Sequence, residues 1–190
     1  METVERIDYL TDVPPAPGRL ALVQRFGNTV APEWNQEMLG SPERLRAVLA
    51  ELGLLDADAP VSAADLRRAL ELREALRALA FANNGEPRSQ EAEQVLERTA
   101  VRGALGVRFE DRVPRLAGTA PGAPGALATL AGIVVEAVAD GTWPRLKACP
   151  AELCGWFFYD RSRNRSAHWC DMAVCGNRAK TRAYRARRRA

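Results

Sequence analysis

Histidine is almost absent: His168 is the only one in 190 residues. That excludes a multi-histidine metal centre and any histidine-based triad away from position 168. Carboxylates and lysines can still do acid–base work. The segment before Trp143, however, offers no phosphate loop, no paired-ligand spacing and no nucleophile motif, so no enzymatic site is expected. Cysteine is missing from the first 148 residues. No apolar run is long enough to cross a membrane. Residues Met1 to Asp8 are acidic and lack the apolar stretch of a secretory signal, so the expected compartment is the cytoplasm.

What is present points to a folded chain. Hydrophobic residues make up 47%, too many for a disordered polymer. The length suits a domain with a sizeable core plus a small metal-stapled module. Charge divides the chain in the same way. From Trp143 onward lie 12 of the 27 Lys and Arg but only three acids, Glu152, Asp160 and Asp171. The remainder holds 15 bases against 21 acids. An acidic front and a basic back imply two units, residues 1–142 and 143–190, the second facing a polyanion.

The front unit reads as mostly helical. Leu22, Val23, Phe26 and Val30 recur at helical spacing after Pro14, Pro15 and Pro17, which block an earlier start. Ser41-Pro42-Glu43 opens a second helix, with Leu45, Val48, Leu49 and Leu52 as its apolar face. Ser62-Ala-Ala-Asp65 resembles a capping box. The helix behind it places Leu66, Ala69, Leu70, Leu72, Leu76, Leu79 and Phe81 mainly on one broad face. Arg67, Arg68, Glu71, Arg73, Glu74 and Arg77 are expected on the solvent side. A shorter helix follows over about 89–99. Val107 and Phe109 alternate with Arg108 and Glu110, and a small hairpin is expected there. Pro121, Gly122, Pro124 and Gly125 read as a linker. A last apolar helix runs over 126–139. The front is therefore expected to be an α+β domain, mostly α with one small β-hairpin.

All four cysteines fall within 27 residues: Cys149-x4-Cys154, fifteen residues, then Cys170-x4-Cys175. Two equal pairs separated by a hairpin-sized insert can converge on one tetrahedral ion. Zinc favours four thiolates, each at about 2.3 Å, in structural sites. An iron–sulfur centre is the other metal such thiolates hold, and two disulfides are disfavoured in a reducing compartment. Four thiolates close the coordination shell, which leaves His168 outside it. Gly155 and Gly176 each follow a cysteine and are expected at turns of positive φ. Trp156-Phe-Phe-Tyr159 suits a half-buried strand covering the metal. About 48 residues cannot build an adequate core, whereas structural zinc supplies roughly 10–16 kcal/mol of folding free energy. One structural Zn²⁺ is thus the expected cofactor.

Asn177 is positioned to cap a helix that contains neither Gly nor Pro. Arg178, Arg182, Arg185 and Arg189 fall on one face, with Ala179, Ala183, Ala186 and Ala190 about 100° away. Lys180, Arg187 and Arg188 enlarge the positive surface, and Arg161, Arg163 and Arg165 form a second cluster between the cysteine pairs. Guanidinium groups pair bidentately with phosphate oxygens. These ten residues are the candidate nucleic-acid contacts. A solvated terminal charge run is the alternative, as is a surface that docks an acidic protein.

Cys175-Gly-Asn-Arg178 spells the signature of the CGNR zinc fingers. Cys149-x4-Cys154-Gly155-Trp156, Asp160-x-Ser162-Arg163-Asn164 and Trp169-Cys170-x-Met172 resemble that family over residues 145–190. The front segment, with Phe26-Gly-Asn28-Thr29, is similar to the ABATE domain that precedes this finger in bacterial proteins. The resemblance implies four cysteine ligands and a small zinc-stapled module of hairpin and basic helix, treble-clef-like in plan. It also implies a DNA-binding, stress-linked transcription regulator. An RNA- or ribosome-binding protein and a protein-interaction adaptor are the rival functions. The front domain is left as the place for a second copy of the chain or a small-molecule effector.

Overall fold

The computed structural model describes residues 13–188, apart from the side chains of Trp34 and Ala183; Arg189, among the candidate contacts, lies outside the described residues. Helix α1 (Leu20–Gly27) is the first regular element of the described chain. A very short hairpin follows, β1 (Val30–Ala31) with β2 (Gln36–Glu37), closed by a 3-10 turn at Pro32–Trp34. Its two-residue strands carry no periodicity, which is why the sequence does not announce it.

Helix α2 (Pro42–Glu51) starts as expected, with the Ser41 side chain accepting from the Arg44 N–H. Helix α3 (Ala63–Ala82) opens on a full capping box between Ser62 and Asp65. Helix α4 (Gln90–Arg102) is capped by Ser89. The hairpin of β3 (Leu105–Glu110) and β4 (Val113–Gly118) turns through Asp111 and Arg112, both at positive φ.

Helix α5 (Ala123–Ala139) corrects the linker reading, because it includes Pro124 and Gly125. Proline is at home in a first helical turn, where its missing N–H would have no partner. Gly125 is needed because a Cβ there would collide with the Ala120 carbonyl.

A second correction concerns α3. Arg73 and Arg77 are only 4% and 8% exposed, not on the solvent face. Both reach across to backbone and acids of neighbouring segments, which supply the hydrogen bonds that burial demands.

The helices α1, α2, α3 and α5 enclose the main core around Val23, Phe26, Leu45, Leu49, Leu72, Leu76, Leu130 and Ile133. That core does not end at residue 142. Trp143, Leu146, Ala148 and Phe157 belong to it. The hairpin β5 (Leu146–Ala148) and β6 (Phe157–Tyr159) is laid against α3 and α1. The 142/143 boundary therefore marks a change of charge and motif, while the packing runs straight across it. A π-turn at Met172–Gly176 then leads into α6 (Asn177–Arg187). Among the described residues no helix is long and apolar enough to cross a membrane.

Candidate metal centre and basic helix

Alternation along β6 sets the site. Phe157 faces the helical core and is fully buried, whereas Trp156 and Phe158 face the opposite way, into a cluster with Cys149, Cys154 and Cys175. One short strand thus has the helical core on one side and the cysteines on the other, as period-two geometry requires. The turn after β5 brings the first pair of thiols together. Cys149 N–H donates to Trp156 O at 2.9 Å, Gly155 N–H to Cys149 O at 3.2 Å, and Cys154 N–H to Ala151 O at 2.9 Å. Leu153 and Gly155 take positive φ, 62° and 66°.

Gly176 does not: it is helical, at φ −65°. Its lack of a side chain is required by contact, since a Cβ there would strike the Met172 sulfur and lie 3.1 Å from the Trp169 ring. Asn177 is likewise not the cap. Asp171 caps the π-turn by accepting from Val174 N–H at 2.9 Å, and Asn177 lies within the continuous helical path, donating to Ala173 O.

The second pair meets the first. Sγ–Sγ separations are 3.7 Å for Cys154–Cys170, 3.7 Å for Cys170–Cys175 and 3.8 Å for Cys154–Cys175. All four sulfurs lie within 4.8 Å of one another. A tetrahedron with Zn–S bonds of about 2.3 Å has edges of about 3.8 Å, so the donor set fits zinc in number, chemistry and spacing. The electrostatics agree. Hydrogen bonds from Cys154 and Cys170 hold the Cys149 thiol far down, at about 2. Cys154 is pushed up to about 12 by its bond to Cys149, and Cys170 is raised by the same partners. Burial raises Cys175. Sulfurs this close cannot all ionise against one another; a dication among them reverses that, because coordinated thiols deprotonate outright. The four clustered cysteines fit a single structural zinc ion.

His168 is not among the donors. Its Nδ1 is 2.9 Å from Asn84 Oδ1, and its carbonyl accepts from Asn84 Nδ2. Sequence reasoning missed the groups that tie the finger to the helices. The Asn28 side chain accepts from Phe157 N–H at 2.7 Å and donates to Phe157 O at 3.1 Å, imitating a strand partner for β6. Asn84 Nδ2 also donates to Ala148 O. Arg77 donates to Gly27 O and Gly155 O, and its guanidinium lies 5.3 Å from the Phe157 ring centre. Arg73 forms a bidentate pair with Glu37, both contacts at 2.7 Å. Phe157 is also why position 27 is glycine: a Cβ there would come within 2.7 Å of its ring. The motif Phe26-Gly-Asn28-Thr29 is thus the seat for the finger, and its similarity to the ABATE pattern was the available signal.

The structure divides the ten candidate basic residues. Arg178 pairs with Glu33 and Arg182 with Glu152, so this side of α6 faces the body, with Ala179 half-buried between them. Helical spacing then turns Lys180, Tyr184 and Arg187 outward. Lys180, Arg185 and Arg187 are exposed and make no ion pair among the described residues. Arg188 lies over the Tyr184 ring. Tyr184, 54% exposed, is an aromatic that the charge pattern concealed. Arg161 donates to Pro15 O and lies over Tyr159.

Arg161, Arg163 and Arg165 sit on a loop built by Asp160, which is bound by Lys147 at 2.8 Å and by the Ser162 hydroxyl and N–H. That loop leaves the end of β5–β6 remote from the Cys149–Cys154 turn, whereas α6 starts beside that turn.

A helical body with a four-cysteine finger set into its core, from which a basic helix projects, defines a zinc-finger protein. The family models place it further. The CGNR zinc finger model matches residues 145–188, and the ABATE model, described as "Putative stress-induced transcription regulator", matches residues 20–141. The chain belongs to the ABATE family and carries a CGNR zinc finger. No curated protein matches it.

Proposed function

We propose that this protein is a zinc-dependent, non-enzymatic nucleic-acid-binding protein of the cytoplasm, a transcription regulator whose target is duplex DNA. The observation that carries this reading is the state of α6. It is rooted at Cys175, its Arg and Lys side chains are exposed, and it has almost no apolar surface to bury. A helix with that composition has no role in a core. A rigid, positively charged rod held by a metal site is suited to a phosphate backbone and a groove. The family description and the net excess of positive charge behind Trp143 support the same reading.

Tyr184 favours one second reading. An exposed aromatic among cations can stack on an unpaired base, which is how single-stranded RNA is held. Trp156 and Trp169 do not add to it, since both pack around the cysteines. Selection by the zinc-loaded full chain from random duplex DNA and random RNA, in parallel at moderate salt, separates the readings. Enrichment of a duplex motif supports the regulator. Enrichment of RNA alone replaces it with the RNA-binding reading. Retention of neither leaves the adaptor reading in its place.

A further inference from the structure

The described chain begins beside the root of α6. The Gln24 side chain accepts from Ala16 N–H and donates to Pro14 O, and Arg161 donates to Pro15 O, so this stretch is held against the body. Val13 packs on the cluster of Ala31, Trp156 and the cysteines. Cys175 of that cluster leads directly into α6, and Glu33, two residues after Ala31, pairs with Arg178 in its first turn. Twelve residues precede Val13. Fully extended they span about 40 Å, whereas α6, with 11 residues, is about 16 Å long. Every point on the helix surface is within their reach.

Charge selects where that segment goes. It carries Glu2, Glu5, Asp8 and Asp12 against one base, Arg6. Residues 13–142 are themselves acidic, with 14 bases and 17 acids, and repel it. Helix α6 has the opposite sign and contains no acid. Lys180 and Arg187 on its outward side, and Arg188 at its end, are exposed and make no ion pair among the described residues. The inward side shows what such a helix accepts, since Arg178 and Arg182 have already taken carboxylates, Glu33 and Glu152. The segment's apolar residues, Val4, Ile7, Tyr9 and Leu10, have counterparts as well. Met172 and Val174 in the turn before α6, and Tyr184 on it, are exposed.

We infer that residues 1–12 dock on the outward side of α6, with Glu2, Glu5, Asp8 and Asp12 against Lys180, Arg187 and Arg188. Tethered at Val13, the segment acts at a high effective concentration. Nucleic acid must displace it, phosphates taking the place of carboxylates. The docking is independent of what α6 binds, whereas the competition rests on the function proposed above.

The chain has two lysines, Lys147 and Lys180. Lys147 is buried against Asp160, so Lys180 is the lysine that a zero-length carbodiimide can join to a carboxylate. In the zinc-loaded full chain without nucleic acid, peptide mass spectrometry should find Lys180 linked to Glu2, Glu5, Asp8 or Asp12, in a yield unchanged by dilution. The yield should fall in Arg187→Ala/Arg188→Ala, which keeps Lys180 and all four acids. It should also fall between about 0.1 M and about 1 M salt, where the screening length shortens from about 10 Å to about 3 Å. The full-length variant Glu2→Gln/Glu5→Gln/Asp8→Asn/Asp12→Asn should bind duplex DNA about tenfold more tightly than wild type. Lys180 unlinked, or linked only to other carboxylates, overturns the proposal. So does a yield that falls on dilution, which would place the segment on a second copy. A yield indifferent to the arginines and to salt overturns it too, as does a quadruple variant that binds DNA no more tightly than a wild type that binds. If the link forms but neither protein binds DNA, the docking stands and the function proposed above fails.

Discussion

Replacing Phe157 by alanine should destabilise the whole protein, although the residue lies in the middle of the zinc finger. Phe157 is fully buried in the helical core. It rests on Gly27, which has no side chain to move into the space, and beneath the Arg77 guanidinium. Large-to-small truncation of a buried Phe costs about 3–5 kcal/mol. Loss of the cation–π contact adds roughly 0.5–2 kcal/mol for a desolvated arginine. A domain of this size loses about 2–4 °C of melting temperature per kcal/mol, so a total of about 3.5–7 kcal/mol should lower the midpoint by roughly 7–28 °C. Thermal unfolding of the zinc-loaded protein should be followed by far-ultraviolet circular dichroism and, in the same scan, by a chromophoric chelator that reports zinc release. Both transitions should move together, because β6 has the helices on one face and the cysteines on the other. A change below about 1 kcal/mol would refute the reasoning, as would zinc release that moves while the helical transition stays in place.

Removing zinc with a chelator should lower the helical melting midpoint itself, with release of protons on re-addition of metal, and an unmoved helical midpoint would show that the finger is only appended. Burial pushes the Asp160 carboxyl up, but hydrogen bonds from Lys147 and Ser162 outweigh it and hold the group below its ordinary 3.8. Its stabilisation is therefore complete above about pH 4 and is lost as pH falls through the lowered value. The stability gap between wild type and Asp160→Asn should close below that pH, and a gap that stays constant from pH 7 to about pH 3 contradicts the assignment. Glu33→Gln together with Glu152→Gln frees Arg178 and Arg182, and should tighten nucleic-acid binding and steepen its salt dependence by up to about two units. Unchanged binding would mean that those two arginines never reach phosphate.

The long elements were legible because their signals are local. Ser62 and Asp65 announce α3, Ser41-Pro42 announces α2, and the paired cysteine spacing announces the metal. What lay beyond reach depended on tertiary contact. Arg73 and Arg77 occupy polar positions on a helical wheel, yet Glu37, Gly27 and Gly155 receive them in the interior. Gly27-Asn28 reads as a weak helix end until Phe157 is seated on it. Periodicity groups the arginines of α6 into a stripe, but it cannot say which way a stripe points. Glu33 and Glu152, distant in sequence, turn part of it toward the body. The division at residue 142 followed charge, whereas the core follows hydrophobic contact, and β5–β6 crosses from one to the other.

Whether α6 meets nucleic acid is tested most directly by the salt dependence of duplex DNA binding by the zinc-loaded full chain. Each phosphate neutralised should contribute about −0.9 to the slope of log affinity against log salt. Lys180→Ala/Arg187→Ala, at two exposed positions on the outward side of α6, should keep its zinc, weaken binding to all sequences alike, and flatten that slope by about two units. A variant that retains zinc and binds DNA with wild-type affinity and slope would contradict the claim that this helix meets nucleic acid.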